Sequence, residues 1–171
     1  STVNGTPGSA TLAVDGIDPF DVVAFIAPLI GDPSVPNRLY AVTSRVYQTN
    51  DGAQNWVVIS PDLTASLASL RAIAVAPSDS NVVYTGSRDS RIFRTSTANL
   101  GANATWAEIS SGTDLPGRVI TAMAVSPANP NTAFVTFSGF TFGSDMKGHV
   151  FKTTDSGATW TDISGTGPGG G

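Results

Sequence analysis

The chain has 171 residues, a formal net charge of −4, 13% charged and 40% hydrophobic residues, 18 Gly, 11 Pro and no Cys. An acidic chain whose nine Lys and Arg are scattered is a poor partner for nucleic acid or anionic membrane, and without cysteine it forms neither disulfides nor thiolate metal sites. No apolar stretch approaches the roughly 20 residues that cross a bilayer, so no membrane insertion is expected, and the many turn residues point to one all-β domain.

The N-terminal arm, residues 1–19, begins with a flexible composition and carries the sequon Asn4-Gly5-Thr6. Residues 9–14 then alternate apolar and polar, which predicts one extra strand, paired within its own chain or added to a neighbouring subunit's edge. A start at Ser1 with no signal peptide fits a mature secreted chain or part of a longer one.

Three copies of one unit follow, at about 20–60, 67–110 and 118–164. Each opens with an apolar run ending in proline: 22–28 to Pro28, 72–77 to Pro77 and 122–127 to Pro127. Proline cannot donate to a ladder and ends the strand. A turn rich in Asn, Asp, Pro and Ser leads to a second strand with an aromatic at a matched place, Tyr40, Tyr84 and Phe134. The third strand reads Arg45-Val46-Tyr47-Gln48-Thr49, Arg91-Ile92-Phe93-Arg94-Thr95 and His149-Val150-Phe151-Lys152-Thr153. The fourth is Trp-x-x-Ile-Ser each time, from Trp56, Trp106 and Trp160. Each unit is therefore predicted as a four-stranded antiparallel meander. The tail, 165–171, has the Gly-rich composition of a linker.

Between the third and fourth strands of the last unit lies Thr153-Thr154-Asp155-Ser156-Gly157-Ala158-Thr159-Trp160. Asp155 can cap a turn by accepting backbone N–H groups, Gly157 can take positive φ, and Trp160 buries a large ring. The first copy keeps Asp51 and Trp56 but has Ala53 and Asn55 for Gly and Thr. The second has Thr97 for the Asp and four more residues between Thr95 and Trp106 than separate Thr153 from Trp160. Those extra residues hold a second sequon, Asn103-Ala104-Thr105; Asn4 and Asn103 are the candidate glycosylation sites.

The 153–160 stretch resembles the Asp-box (BNR) repeat family, whose pattern Ser/Thr-x-Asp-x-Gly-x-Thr-Trp it meets at Thr153, Asp155, Gly157, Thr159 and Trp160. The resemblance implies propeller blades, similar to those of the sortilin and xyloglucanase type. Propellers typically close with four to eight blades, and three fall short of that. The expected fold is thus all-β, three propeller-type blades forming an incomplete or oligomer-completed propeller with an extra N-terminal strand. Two copies could close a ring, copies could join into a filament, or the missing blades could lie elsewhere in a longer chain.

Little catalytic chemistry is visible. Sialidases share the box, but the arginine cluster and Tyr–Glu pair of that family have no counterpart: Glu108 is the one glutamate, and Arg45 and Arg91 recur as scaffold. Two-carboxylate glycoside hydrolysis would draw on aspartates that sit in turn contexts, Asp32, Asp62, Asp79, Asp89 and Asp114. His149 stands alone at the Arg45 and Arg91 position. No catalytic residue, metal site or cofactor is expected. Phe140 and Phe142, in the long hairpin before the last box, are candidate interface or sugar contacts. The resulting expectation is a non-catalytic extracellular or cell-surface structural protein whose partner is itself. A carbohydrate-binding oligomeric propeller and a fragment of a glycoside hydrolase are the alternatives.

Overall fold

The computed structural model describes residues 12–65, 67–139 and 147–165. Within them three four-stranded antiparallel sheets follow one another, each with its strands in sequence order. Blade 1 contains β1 Leu29–Gly31, β2 Leu39–Val42, β3 Val46–Thr49 and β4 Val57–Val58. Blade 2 contains β5 Leu70–Ala76, β6 Asp79–Ser87, β7 Ile92–Thr95 and β8 Ala107–Glu108. Blade 3 contains β9 Ile120–Val125, β10 Ala133–Phe137, β11 Val150–Thr153 and β12 Thr161–Asp162.

Register identifies equivalent residues. Tyr40 lies opposite Ile30, Tyr84 opposite Ala74 and Phe134 opposite Ala124. The sequence reading of the first strand is right for blades 2 and 3 and wrong for blade 1. There the strand is Leu29–Gly31, and the run 22–27 is irregular. The proline equivalent to Pro77 and Pro127 is Pro33, not Pro28. Gly31 and Asp32 interrupt the apolar pattern of the true strand, so the more apolar run upstream imitated it. The N-terminal strand also differs from expectation where it can be followed. Leu12, Ala13 and Val14 are irregular, and residues 9–11 lie outside the described residues.

Each position of Trp-x-x-Ile-Ser has a repeated task. The Ile N–H pairs with the third strand: Ile59 donates to Val46 O, Ile109 to Ile92 O and Ile163 to Val150 O, at 2.9, 2.8 and 2.9 Å. The Ser hydroxyl accepts the amide that begins that strand, Val46 N on Ser60, Ile92 N on Ser110 and Val150 N on Ser164. A two-residue outer strand is too short to hold by ladder bonds alone, and the serine extends it by one more partner for a backbone N–H. His149 occupies the Arg45 and Arg91 position as predicted: Phe137 N donates to His149 O as Thr43 N and Ser87 N donate to Arg45 O and Arg91 O.

Alternation along the strands gives each blade two faces. The rear face of blade 1 (Tyr40, Val42, Val46, Ile59) packs into one cluster with Ile73, Val75, Val83 and Phe93 of blade 2. The rear face of blade 2 supplies Ala72 and Ile92 to a cluster with Val135, Phe137 and Phe151 of blade 3. Phe137 and Phe151 meet edge to face, centroids 5.7 Å apart. Polar contacts cross the same seams: the hydroxyl of fully buried Tyr84 donates to Pro130 O at 2.8 Å and accepts from Arg94 Nε at 3.2 Å. Tyr84→Phe removes that donor and leaves a carbonyl at the seam without it. The expected loss is about 1–2 kcal/mol, read as a lower urea midpoint at unchanged m-value.

Candidate functional site

Two features concentrate the repeat's chemistry: the turn before each tryptophan, and the rear face of blade 3, which no blade covers among the described residues.

In the third turn, Thr153 Oγ1 donates to Asp155 Oδ1 at 2.7 Å and accepts from Gly157 N at 2.9 Å. Asp155 takes the Thr159 amide on Oδ1 at 2.9 Å and its hydroxyl on Oδ2 at 2.6 Å. The first turn keeps this lattice with other donors. Asp51 accepts from Gln54 N, Asn55 N and Asn55 Nδ2, while Thr49 Oγ1 accepts from Ala53 N. Asn55 thus does what Thr159 does. In the second turn Thr97 stands in for the carboxylate, its hydroxyl accepting from Thr105 N at 2.9 Å.

The extra residues of the second turn form a 3-10 helix, Ala98–Asn103. Ala98 is buried, and its carbonyl accepts from Gln48 Nε2 of blade 1 at 3.3 Å. The insertion therefore stitches two blades together, and Asn103 is exposed at its end. Asn4, Phe140 and Phe142 lie outside the described residues.

These hydrogen bonds favour the ionised carboxylates. Asp155 is lowered from 3.8 to about 2, first by the Thr159 hydroxyl and amide and then by Thr153. Asp51 is lowered further, chiefly by the Asn55 side chain. A depressed folded-state pKa contributes stability that is present above the unfolded value and lost as pH falls through the folded one. The urea midpoint is therefore expected to decline from pH 4 toward pH 2, with a shallower acid limb in Asp51→Asn/Asp155→Asn. Parallel acid limbs in the two proteins would refute the assignment.

Other carboxylates serve local structure. Asp32, Asp62 and Asp79 each accept the amide two residues ahead. Asp89 accepts Ala65 N, Asp114 pairs with Lys147, and Glu108 is exposed and paired with Arg91 at 2.6 Å. Among the described residues no three His, Asp or Glu side chains gather in a metal-binding arrangement.

The tryptophans join the blades. Trp106 Nε1 of blade 2 donates to Ile59 O of blade 1 at 2.7 Å, and Trp160 Nε1 of blade 3 to Ile109 O of blade 2 at 3.3 Å. Among the described residues no blade precedes Trp56 of blade 1, and its Nε1 donates to Ala13 O of the arm at 2.8 Å. Just past the arm, Asp21 accepts from the Tyr47 and Thr43 hydroxyls at 2.6 and 2.7 Å and lies 3.5 Å from Arg45 Nε.

Among the described residues no blade covers the rear face of blade 3. By register it carries Ala122, Ala124, Phe134, Thr136, Val150, Lys152 and Ile163. Ile163 is 44% exposed, where its equivalent Ile59 is 1% exposed. Phe134 is half-buried, where Tyr40 and Tyr84 are fully buried. A groove of about 100 Å3 runs between Ala122, Met123, Ala124, Phe134 and Thr136. Lys152 lies over the Phe134 ring, 5.9 Å from its centroid, as Arg94 lies over Tyr84 at 5.6 Å.

Blades in series with indole stitches between them define an incomplete β-propeller. Solved structures of propeller proteins match it. A GH74 enzyme from Niastella koreensis is 20% identical with a TM-score of 0.59, covering 78% of this chain and 21% of that one. The GH74 xyloglucanase from Xanthomonas campestris is 18% identical with a TM-score of 0.57, covering 81% and 23%. YCF48 from Cyanidioschyzon merolae is 16% identical with a TM-score of 0.57, covering 78% and 35%. This chain thus spans less than a quarter of these GH74 enzymes and about a third of YCF48. At such identities the likeness is one of fold. No protein-family model and no curated protein sequence matches.

Proposed function

We propose that the protein is a non-catalytic assembly module of Asp-box-type blades, which joins a second copy of itself through the rear face of blade 3. The observation that carries this reading is the repetition of one interface. The same face is covered by the next blade in blades 1 and 2, and blade 3 presents it again with Ile163 and Phe134 open. A contiguous apolar face of this kind usually marks a partner surface. Hydrolysis of xyloglucan, the activity named for one structural neighbour, is the alternative. It is disfavoured because the carboxylates described above are committed to turns and ion pairs. A homo-oligomer or filament at an extracellular or cell-surface site is part of this reading, and the exposed Asn103 sequon suits that setting. Light scattering over a wide concentration range tests it: mass rising with concentration supports self-assembly, and an invariant monomer mass refutes it.

A further inference from the structure

The arm and the open face are related by the indole stitch. Three carbonyls receive a tryptophan N–H: Ala13, Ile59 and Ile109. Ile59 and Ile109 belong to the outer edge of a preceding blade; Ala13 belongs to a segment with no strand structure. A fourth member of the series, Ile163, sits at the outer edge of blade 3, after which no blade follows among the described residues. We propose that residues 12–17 are an exchangeable cap. They close the tryptophan face of blade 1 by imitating the outer edge of a preceding blade, and the Ile163–Ser164 edge of a second copy displaces them. The inference rests on the reading of blade 3's rear face as an assembly surface, and adds which surface of the partner it meets.

Three further observations fit this pairing. First, the cap is held closely: Trp56 N donates to Asp15 O at 2.7 Å, and Gly16, at φ +94°, lies against the Trp56 backbone. A methyl at Gly16 would fall 2.9 Å from the Trp56 carbonyl carbon and nearer still to its oxygen. Second, the free ends carry complementary polar groups. Arg94 Nη2 of blade 2 donates to Asn131 Oδ1 of blade 3 at 3.5 Å. Lys152 holds the Arg94 position on the open rear face, and Asn37 holds the Asn131 position on blade 1. Third, the residue facing the stitch is sized differently at the two ends. Gly157 leaves room for Ile109, since a methyl there would sit 2.9 Å from Ile109 Cβ. Its counterpart in the first turn is Ala53, which carries a methyl at the matching position, also at positive φ. A methyl at that position is expected to resist an isoleucine across the seam, as one at Gly157 would resist Ile109. The closed arm is thereby favoured at low concentration, and exchange proceeds by mass action as copies accumulate.

The test uses the full chain. Ala53→Gly makes room for Ile163 at a position where φ is already +73°, and is expected to lower the concentration for half-association at least tenfold by sedimentation velocity. Gly16→Val is expected to release the arm, seen as faster hydrogen exchange at the Trp56 amide, and to strengthen association likewise. Adding Ile163→Asp to either variant is expected to restore the monomer. Association that survives Ile163→Asp overturns the proposal. So does an Ala53→Gly protein that associates no more tightly than wild type, a result that stands even if Gly16→Val does not fold. If wild-type association is lost on Ile163→Asp but neither arm variant strengthens it, the exchange is refuted while the assembly face stands.

Discussion

Gly157→Ala is expected to destabilise the chain by about 2–5 kcal/mol, while Ala53→Gly, the reverse change at the equivalent turn position, shifts stability by less than about 1 kcal/mol. Both residues have positive φ, +92° at Gly157 and +73° at Ala53. A side chain in that region costs about 1–2 kcal/mol relative to glycine. The difference lies in what faces them. The added methyl at Gly157 meets Ile109 across the seam between blades 2 and 3, and overpacking of this kind costs about 1–3 kcal/mol. At Ala53 the strain relieved by glycine is offset by the greater freedom of the unfolded chain. Paired urea denaturation measures both. Equal and opposite effects at the two positions would show that backbone conformation alone is responsible and that Ile109 plays no part.

The second large effect concerns Ile163. Ile163→Asp is expected to abolish self-association while leaving the urea midpoint close to wild type. Ile163 is half open to solvent at the end of the stack, so a carboxylate there is hydrated in the monomer. It becomes a buried unpaired charge only when a second blade covers it. The equivalent change Ile59→Asp introduces the same carboxylate at a position 1% exposed and is expected to prevent folding. The two positions are the same residue of the same motif, and only the neighbouring blade differs. A marked loss of monomer stability in Ile163→Asp would mean that the residue serves the blade rather than an interface.

Much of the blade was legible in the sequence because its tasks fall to side chains. The Trp indole and the Ser hydroxyl of the outer strand each make a contact that few other residues can make, and the Ile side chain packs between blades at Ile59 and Ile109, so the motif recurs whole at Trp56, Trp106 and Trp160. The turn is read less directly. Its lattice needs an acceptor and two donors in place rather than particular residues, so Thr97 replaces an aspartate and Asn55 a threonine without loss of form. The buried role of Ala98 was hidden because an insertion in sequence looks like a protruding loop. The first strand was misplaced because Gly31 and Asp32 break its apolar pattern, while the run 22–27 has a better pattern and makes no strand. The arm's role was hidden for a simpler reason. Ala13 takes the place of an isoleucine using its backbone carbonyl, a group that every residue has and that composition cannot reveal. Exposure of the blade 3 face was not a property of any residue on it, since Phe134 and Ile163 read like their buried counterparts.

On the proposed reading, the three blades carry one uncovered blade-binding face that another copy fills. Sedimentation equilibrium of the wild-type chain over a broad concentration range tests it most directly. A second copy filling the open face gives a weight-average mass that rises above the 17.5 kDa of the monomer as concentration increases, and that stays at the monomer value in Ile163→Asp. A wild-type mass that remains at 17.5 kDa throughout would contradict it.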